Sequence, residues 1–152
     1  MMNILLAAFL LMSCTLERSE MLGIHNNKLS PCPSNPNCVC SDSHDEKHYI
    51  EPYRLKVEPH QGWEALKEVI SSLPRTRIIS VSSHYLHTEA RSRIFRFVDD
   101  LEFQLRPQQR IIAVRSAARL GYYDFGVNRS RIEEIRHKLR IREVLQSAVE
   151  SQ

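Results

Sequence analysis

SPCPSNPNCVCS, Ser30 to Ser41, holds three cysteines and three prolines, and His44 and His48 follow closely. Cysteines at this density can staple the chain, hold a soft metal or supply a nucleophilic thiolate. Cys32 and Cys38 enclose a proline-rich loop suited to a tight fold-back, so their oxidation is the leading reading. A Cys38–Cys40 bond would strain the preferred disulfide geometry. Cys38, Cys40, His44 and His48 form C-x-C-x3-H-x3-H, a donor set that suits zinc or cuprous copper. That spacing matches no common zinc framework, and metal would compete with oxidation in an exported protein. Cys40 as a catalytic nucleophile ranks third, since no base or oxyanion donor is identifiable beside it. No metal and no cofactor is assigned.

A second set of reactive types lies further along. His87, Asp99, Asp100 and Glu102 could serve as general acids and bases, and a carboxylate pair could hydrolyse a glycan. Neighbouring strand residues point to opposite faces, however, so Asp99 and Asp100 cannot simply act together. No nucleophile elbow, phosphate loop or metalloprotease helix is present, and catalytic residues stay unassigned. Arginines accompany these acids. The net charge of +3 divides into −2 over residues 14–76 and +5 over 77–152, and most of the later cations are Arg, suited to carboxylate or phosphate. A solvated basic surface facing an anionic bilayer explains the same charge equally well.

Compartment and elements decide how these groups can meet. The start, MMNILLAAFLLMSC, carries nine apolar residues from Ile4 to Met12. A spanning helix needs roughly 20, so the run is expected to be a secretory signal over residues 1–13. Leu11-Met12-Ser13-Cys14 resembles a bacterial lipobox, which makes Cys14 the expected lipidation site, although no Lys or Arg precedes the apolar run. Residues 14–30 then read as a lipidated tether and 31–145 as a single domain. Thr15 favours the periplasmic face of the outer membrane as the location. The expected partners are the membrane, through the lipid, and an anionic envelope component, with no role for nucleic acid.

Trp63, Leu66, Ile70 and Leu73 repeat at helical spacing within 60–73, and Ile132, Ile135 and Leu139 predict a second helix with Asn128 as N-cap. Between them TRIISVS, YLHTEAR, IFRFVDDLEFQL and RIIAVRSA read as strands with short connections. HYIEPYRLKV has strand composition, but Pro52 confines it to an edge. The expected fold is α+β, a four-stranded antiparallel meander with both helices packed on one face.

Symmetric turns set the registers. They pair Val81 with Leu86 and Ile79 with Thr88, Ala90 with Phe95, and Leu101 with Val114, which gathers the apolar residues on one face. The other face then carries Ser80, His87, Glu89, Arg96, Asp100, Glu102, Arg115 and Arg119, open to solvent or a ligand, with Glu89 opposite Arg96 and Asp100 opposite Arg115. Asp99 falls on the apolar side opposite Ser116 and must find donors there. Of Tyr122 and Tyr123, one is expected to line a pocket and one to pack.

PCPSNPNCVCS, HYIEP, FRFVDDLEF and VRSAARLGYYDFGVNRSRIEEIR, in that order, resemble the bacterial and plastid family called domain of unknown function 1499, over Pro31 to Leu139. The family's first segment reads closer to CPSSPNCVSS, so Cys32 and Cys38 match and Cys40 stands where serine is usual. The resemblance therefore supports a Cys32–Cys38 pair, weakens any role for Cys40 and implies no reaction. Its matched segments include Asp124, Asn128 and Arg129. The ligand-binding residues expected are Arg96, Asp100, Glu102, Arg115, Arg119, Asp124, Asn128 and Arg129. Two alternatives stand beside a binding module: an envelope hydrolase using the acidic face, and a structural or assembly lipoprotein.

Overall fold

The computed structural model describes residues 22–147. The signal, Cys14 and the first part of the tether lie outside them. The chain folds as α+β with two helices on one face of an antiparallel sheet. The sheet has six strands rather than four.

Helix α1 spans Pro59–Ser72 and α2 spans Val127–Ile141. Pro59 occupies the first turn, where its missing N–H costs nothing, and Pro74 follows the end. Trp63, Leu66, Val69 and Ile70 of α1 and Ile132, Ile135 and Leu139 of α2 bury their apolar stripes against Leu86, Leu101, Phe103, Ile112 and Val114 of the sheet. A Cβ on Gly62 would lie 2.6 Å from Leu55 Cδ2, so glycine lets α1 approach that side chain.

Strands β5 (Thr76–Val81), β6 (Tyr85–Arg91), β7 (Val98–Arg106) and β8 (Ile111–Ala118) form the expected meander. Two more strands line the free edge of β8: β3 (Cys38–Cys40) near one end and β4 (Tyr53–Arg54) near the other. Segments of two or three residues carry no readable periodicity, which is why the edge was only half anticipated. β1 (Ile24–His25) and β2 (Lys28–Leu29) make a separate hairpin. It lies within the stretch read as tether, yet Leu29 and Ser30 are buried.

The registers need correction, and the size of each error matters. Val81 does face Leu86, but a bulge then brings Ile78, not Ile79, opposite Thr88, and Ile78 packs on the core. Ala90 faces Asp99 instead of Phe95, a shift of four, because residues 92–97 form a loop rather than continuing the strand. Leu101 faces Ser116 instead of Val114, a shift of two, because the strands extend to Arg106 and Ile111 around a short turn at Pro107–Gln109. Even shifts change partners but not faces. His87, Glu89, Asp100, Glu102 and Arg115 therefore share one face as expected, while the Glu89–Arg96 and Asp100–Arg115 pairs do not form.

Candidate functional site

The outer face of the sheet is charged but not open. Glu102, fully buried, accepts the Arg115 guanidinium at 2.7 Å on Oε2, and the Tyr85 hydroxyl at 2.7 Å and the Gly23 N–H at 2.6 Å on Oε1. Arg115 is only 2 % exposed. The β1–β2 hairpin thus straps the middle of this face, and Gln104 donates to Asn27 Oδ1 at 3.1 Å further along. Asp42 ties the same region down, accepting both terminal nitrogens of Arg106 and the Leu29 N–H. Beside the hairpin, Asp100 accepts His87 Nε2 at 2.7 Å and Arg119 Nε at 2.7 Å, and Arg119 also reaches Glu89.

These pairings set the electrostatics. Burial raises the Asp100 pKa, but hydrogen bonds from Arg119 and His87 outweigh it and hold the carboxyl at about 2. Arg119 is held more firmly protonated by the hydrogen bond to Asp100. Burial and the nearby Glu102 charge push the Tyr85 hydroxyl up, so it stays a donor. Arg115 and Arg119, two of the cations expected to grip a ligand on this face, already grip the protein's own carboxylates. Asp99 is where parity put it, on the helix side, and finds its donor in Arg131 at 2.8 Å. Burial nonetheless raises its pKa.

Asp124 and Asn128 belong to another network. The N-cap of α2 is Gly126, not Asn128, and Asp124 just before it accepts the Gly126 and Asn128 N–H groups at 3.0 and 2.9 Å. Asn128 sits inside the first turn, fully buried. It accepts the Ser116 hydroxyl at 2.5 Å and donates to the Asn37 carbonyl and to Asp124, which locks helix, sheet and the cysteine segment together. Arg129 donates to the Lys47 and Tyr49 carbonyls, away from the charged face. Arg96 is exposed in the 92–97 loop, with φ of 54°.

The cysteine segment is settled by its bonding. Cys32 and Cys38 form a disulfide, with Cα atoms 5.7 Å apart. Cys40 is buried and its thiol is pushed up to about 11, mainly by burial, so at neutral pH it is a protonated core group. His48 uses both ring nitrogens, on Asp45 at 2.7 Å and the Asn35 carbonyl at 3.0 Å. Cys38 and His48 of C-x-C-x3-H-x3-H are thus committed elsewhere, and the four residues do not come together as a ligand cluster.

The end of the sheet where β6, β7 and β8 hand over to loops has a different character. Arg91 pairs with Val98 and Asp99 with Ala118, so the 92–97 and 119–126 loops leave from the same end. Phe125 is 89 % exposed, Ile94 80 % and Phe95 74 %. Tyr122 and Tyr123 are both exposed, so neither fills the role expected of it. At this end a cleft of about 290 Å³ is lined by Leu73, Arg75, Ala90, Arg91, Phe125 and Ser130, among others. Arg75 makes no ion pair among the described residues, and Arg91 lies 3.8 Å from Glu89 with its side chain half exposed. Nothing in the spacing of the sequence marks Arg75, or the structural roles of Tyr85, Asn37 and Arg131. Only the lack of any acid across Arg91–Phe97 could have singled Arg91 out.

The chain belongs to the family described as protein of unknown function (DUF1499), whose model matches residues 28–139. That span includes all four quoted segments and begins at Lys28, inside the hairpin that covers the sheet. No curated protein and no solved structure matches the chain.

Proposed function

We propose that this protein is a bacterial envelope lipoprotein, anchored through Cys14 at the periplasmic face of the outer membrane, that binds an anionic envelope component. Support for the anchor is the lipobox-like run ending at Cys14. The binding site in this reading is the cleft at the loop end rather than the outer face of the sheet. One observation carries the choice: Arg75 makes no ion pair among the described residues and Arg91 only a 3.8 Å contact with Glu89, on a cleft of mixed polar and apolar lining that also includes Glu134, whereas Arg115 and Arg119 are already paired with Glu102, Asp100 and Glu89. A guanidinium without a carboxylate can form the bidentate contacts that phosphate or carboxylate offers, and one already paired would first have to lose its partner. Leu73, Ala90 and Phe125 give the ligand an apolar neighbour, which suits a headgroup with attached hydrocarbon. The hydrolase alternative gains nothing, since Asp100 and Glu102 are each fully engaged.

Titration calorimetry with glycerol phosphate tests the assignment. Arg75→Gln/Arg91→Gln should weaken binding at least about tenfold, while the buried swap Glu102→Leu/Arg115→Met should leave it intact. Binding that survives the first variant would remove the cleft from consideration.

A further inference from the structure

The two loops beside the cleft are too apolar for the surface of a protein whose end meets only water. Residues 92–97 expose Ile94, Phe95 and Phe97, with the two phenyl rings stacked at 5.6 Å. Residues 119–126 expose Leu120, Tyr122, Tyr123 and Phe125, with Tyr123 and Phe125 edge to face at 5.4 Å. Singly exposed apolar side chains are ordinary; seven large ones on two adjoining loops are not. Neither loop lends these side chains to the core, so their burial requires something outside this chain's own fold.

The charge pattern selects the occupant. Arg91, Arg93 and Arg96 interleave with the apolar residues, and no acid occurs between 91 and 97. In the second loop Asp124 is turned inward onto the helix N–H groups and Asn128. Docking patches for proteins concentrate apolar residues at a centre depleted of charge, with the charges at the rim. Here Arg91, Arg93 and Arg96 interleave with Ile94, Phe95 and Phe97 along the first loop, beside the aromatic residues of the second. That interleaving fits a medium that is apolar inside and anionic at its surface, where aromatic rings sit at headgroup depth and arginines stay among the phosphates.

The position of the chain's entry agrees. Gly23 is held beside Glu102, four residues along β7 from Val98 and so about 13 Å from the loop end. The nine residues from Cys14 to Gly23 span at most about 30 Å, enough for an anchor at Cys14 to share a bilayer with the loops.

We propose that loops 92–97 and 119–126 form a docking tip that inserts its aromatic side chains into the headgroup region of an anionic lipid bilayer. The tip shares an end with the cleft proposed above but needs no ligand in it. Insertion would hold the body loop-end down, with the cleft facing the headgroup layer and the strapped sheet face clear of the surface.

Tryptophan depth reporting on the full chain tests this. Phe95→Trp, Phe125→Trp and, as a control at the opposite end of the sheet, Val81→Trp are each mixed with vesicles of equal phosphatidylglycerol and phosphatidylcholine carrying brominated acyl chains. The native Trp63 is buried and supplies a constant background. The expected result is a blue shift and at least about twofold quenching at 95 and 125, none at 81, and roughly tenfold weaker binding when phosphatidylglycerol is omitted. Absence of quenching at 95 and 125 overturns the proposal and points to a protein occupant. Equal quenching at 81 overturns it as well, because the tip would then have no special depth. Glycerol phosphate titration of the same proteins keeps the two readings apart. Quenching with no glycerol phosphate binding breaks only the cleft, and binding with no quenching breaks only the tip.

Discussion

Arginines and aromatic residues occupy both the outer face of the sheet and its loop end, yet the two regions use them in opposite ways. On the sheet Arg115 and Arg119 are matched to Glu102, Asp100 and Glu89, and Tyr85 donates to Glu102 beneath the β1–β2 hairpin. At the loop end Arg75, Arg93 and Arg96 make no ion pair among the described residues, and the rings of Phe95, Tyr122 and Phe125 stand in solvent. Charge on a surface does not by itself mark a site. The useful question is whether each charge has already been given its partner within the fold. A charge already paired within the fold rigidifies it, and an unpaired one is available to a ligand.

The contrast can be broken in order of expected effect. Glu102→Ala should destabilise by about 3–5 kcal/mol in urea unfolding, because it strands a buried guanidinium whose Nε already has no partner. The swap Glu102→Leu/Arg115→Met should recover the part due to the stranded charge but not the part due to the Tyr85 hydroxyl and Gly23 N–H, which still lose their acceptor. If the single variant costs no more than a surface mutation, the sheet face is not the structural region described here. Asn128→Ala should cost about 3 kcal/mol by the same assay, since the Ser116 hydroxyl loses its acceptor and the tie to Asn37 goes with it.

Acid comes next. The Asp100 carboxyl sits at about 2 in the folded protein and near 4 when unfolded. Its contribution, on the order of 2 kcal/mol, is fully present above about pH 4 and disappears as pH falls through 2. An Asp100→Asn variant should lack that segment of the stability–pH curve; identical curves would mean that Arg119 and His87 do not hold the carboxylate as drawn. Smallest of all, Arg93→Gln, Arg96→Gln and Phe95→Ser should each change stability by less than about 0.5 kcal/mol, because the two arginines make no ion pair among the described residues and Phe95 stacks only on the exposed Phe97. A cost above about 1 kcal/mol at any of them would make the loop end structural too.

Much of the fold was legible for simple reasons. The periodicity of Trp63, Leu66 and Ile70 and of Ile132, Ile135 and Leu139 marks both helices, and a register error of two or four leaves the parity of the sheet intact. Parity alone sent Asp99 and Asp100 to opposite faces and required a donor for Asp99, which Arg131 supplies. What stayed hidden depends on tertiary contact. Arg93 to Phe97 has strand composition, and only the pairing of Arg91 with Val98 turns it into a loop. The hairpin at Ile24–Leu29 is too short to show a period, so nothing in the sequence announced that the charged face would be strapped. Its cover changed the meaning of Glu102 and Arg115 from ligand contacts to buried partners.

The most direct test of the division between the two regions is amide chemical-shift mapping of the protein with phosphatidylglycerol nanodiscs. The account predicts perturbations at Arg75, across 91–97 and across 119–127, with the amides of His87, Asp100, Glu102 and Arg115 unmoved. Perturbations centred on those four sheet residues, with the loops silent, would contradict it.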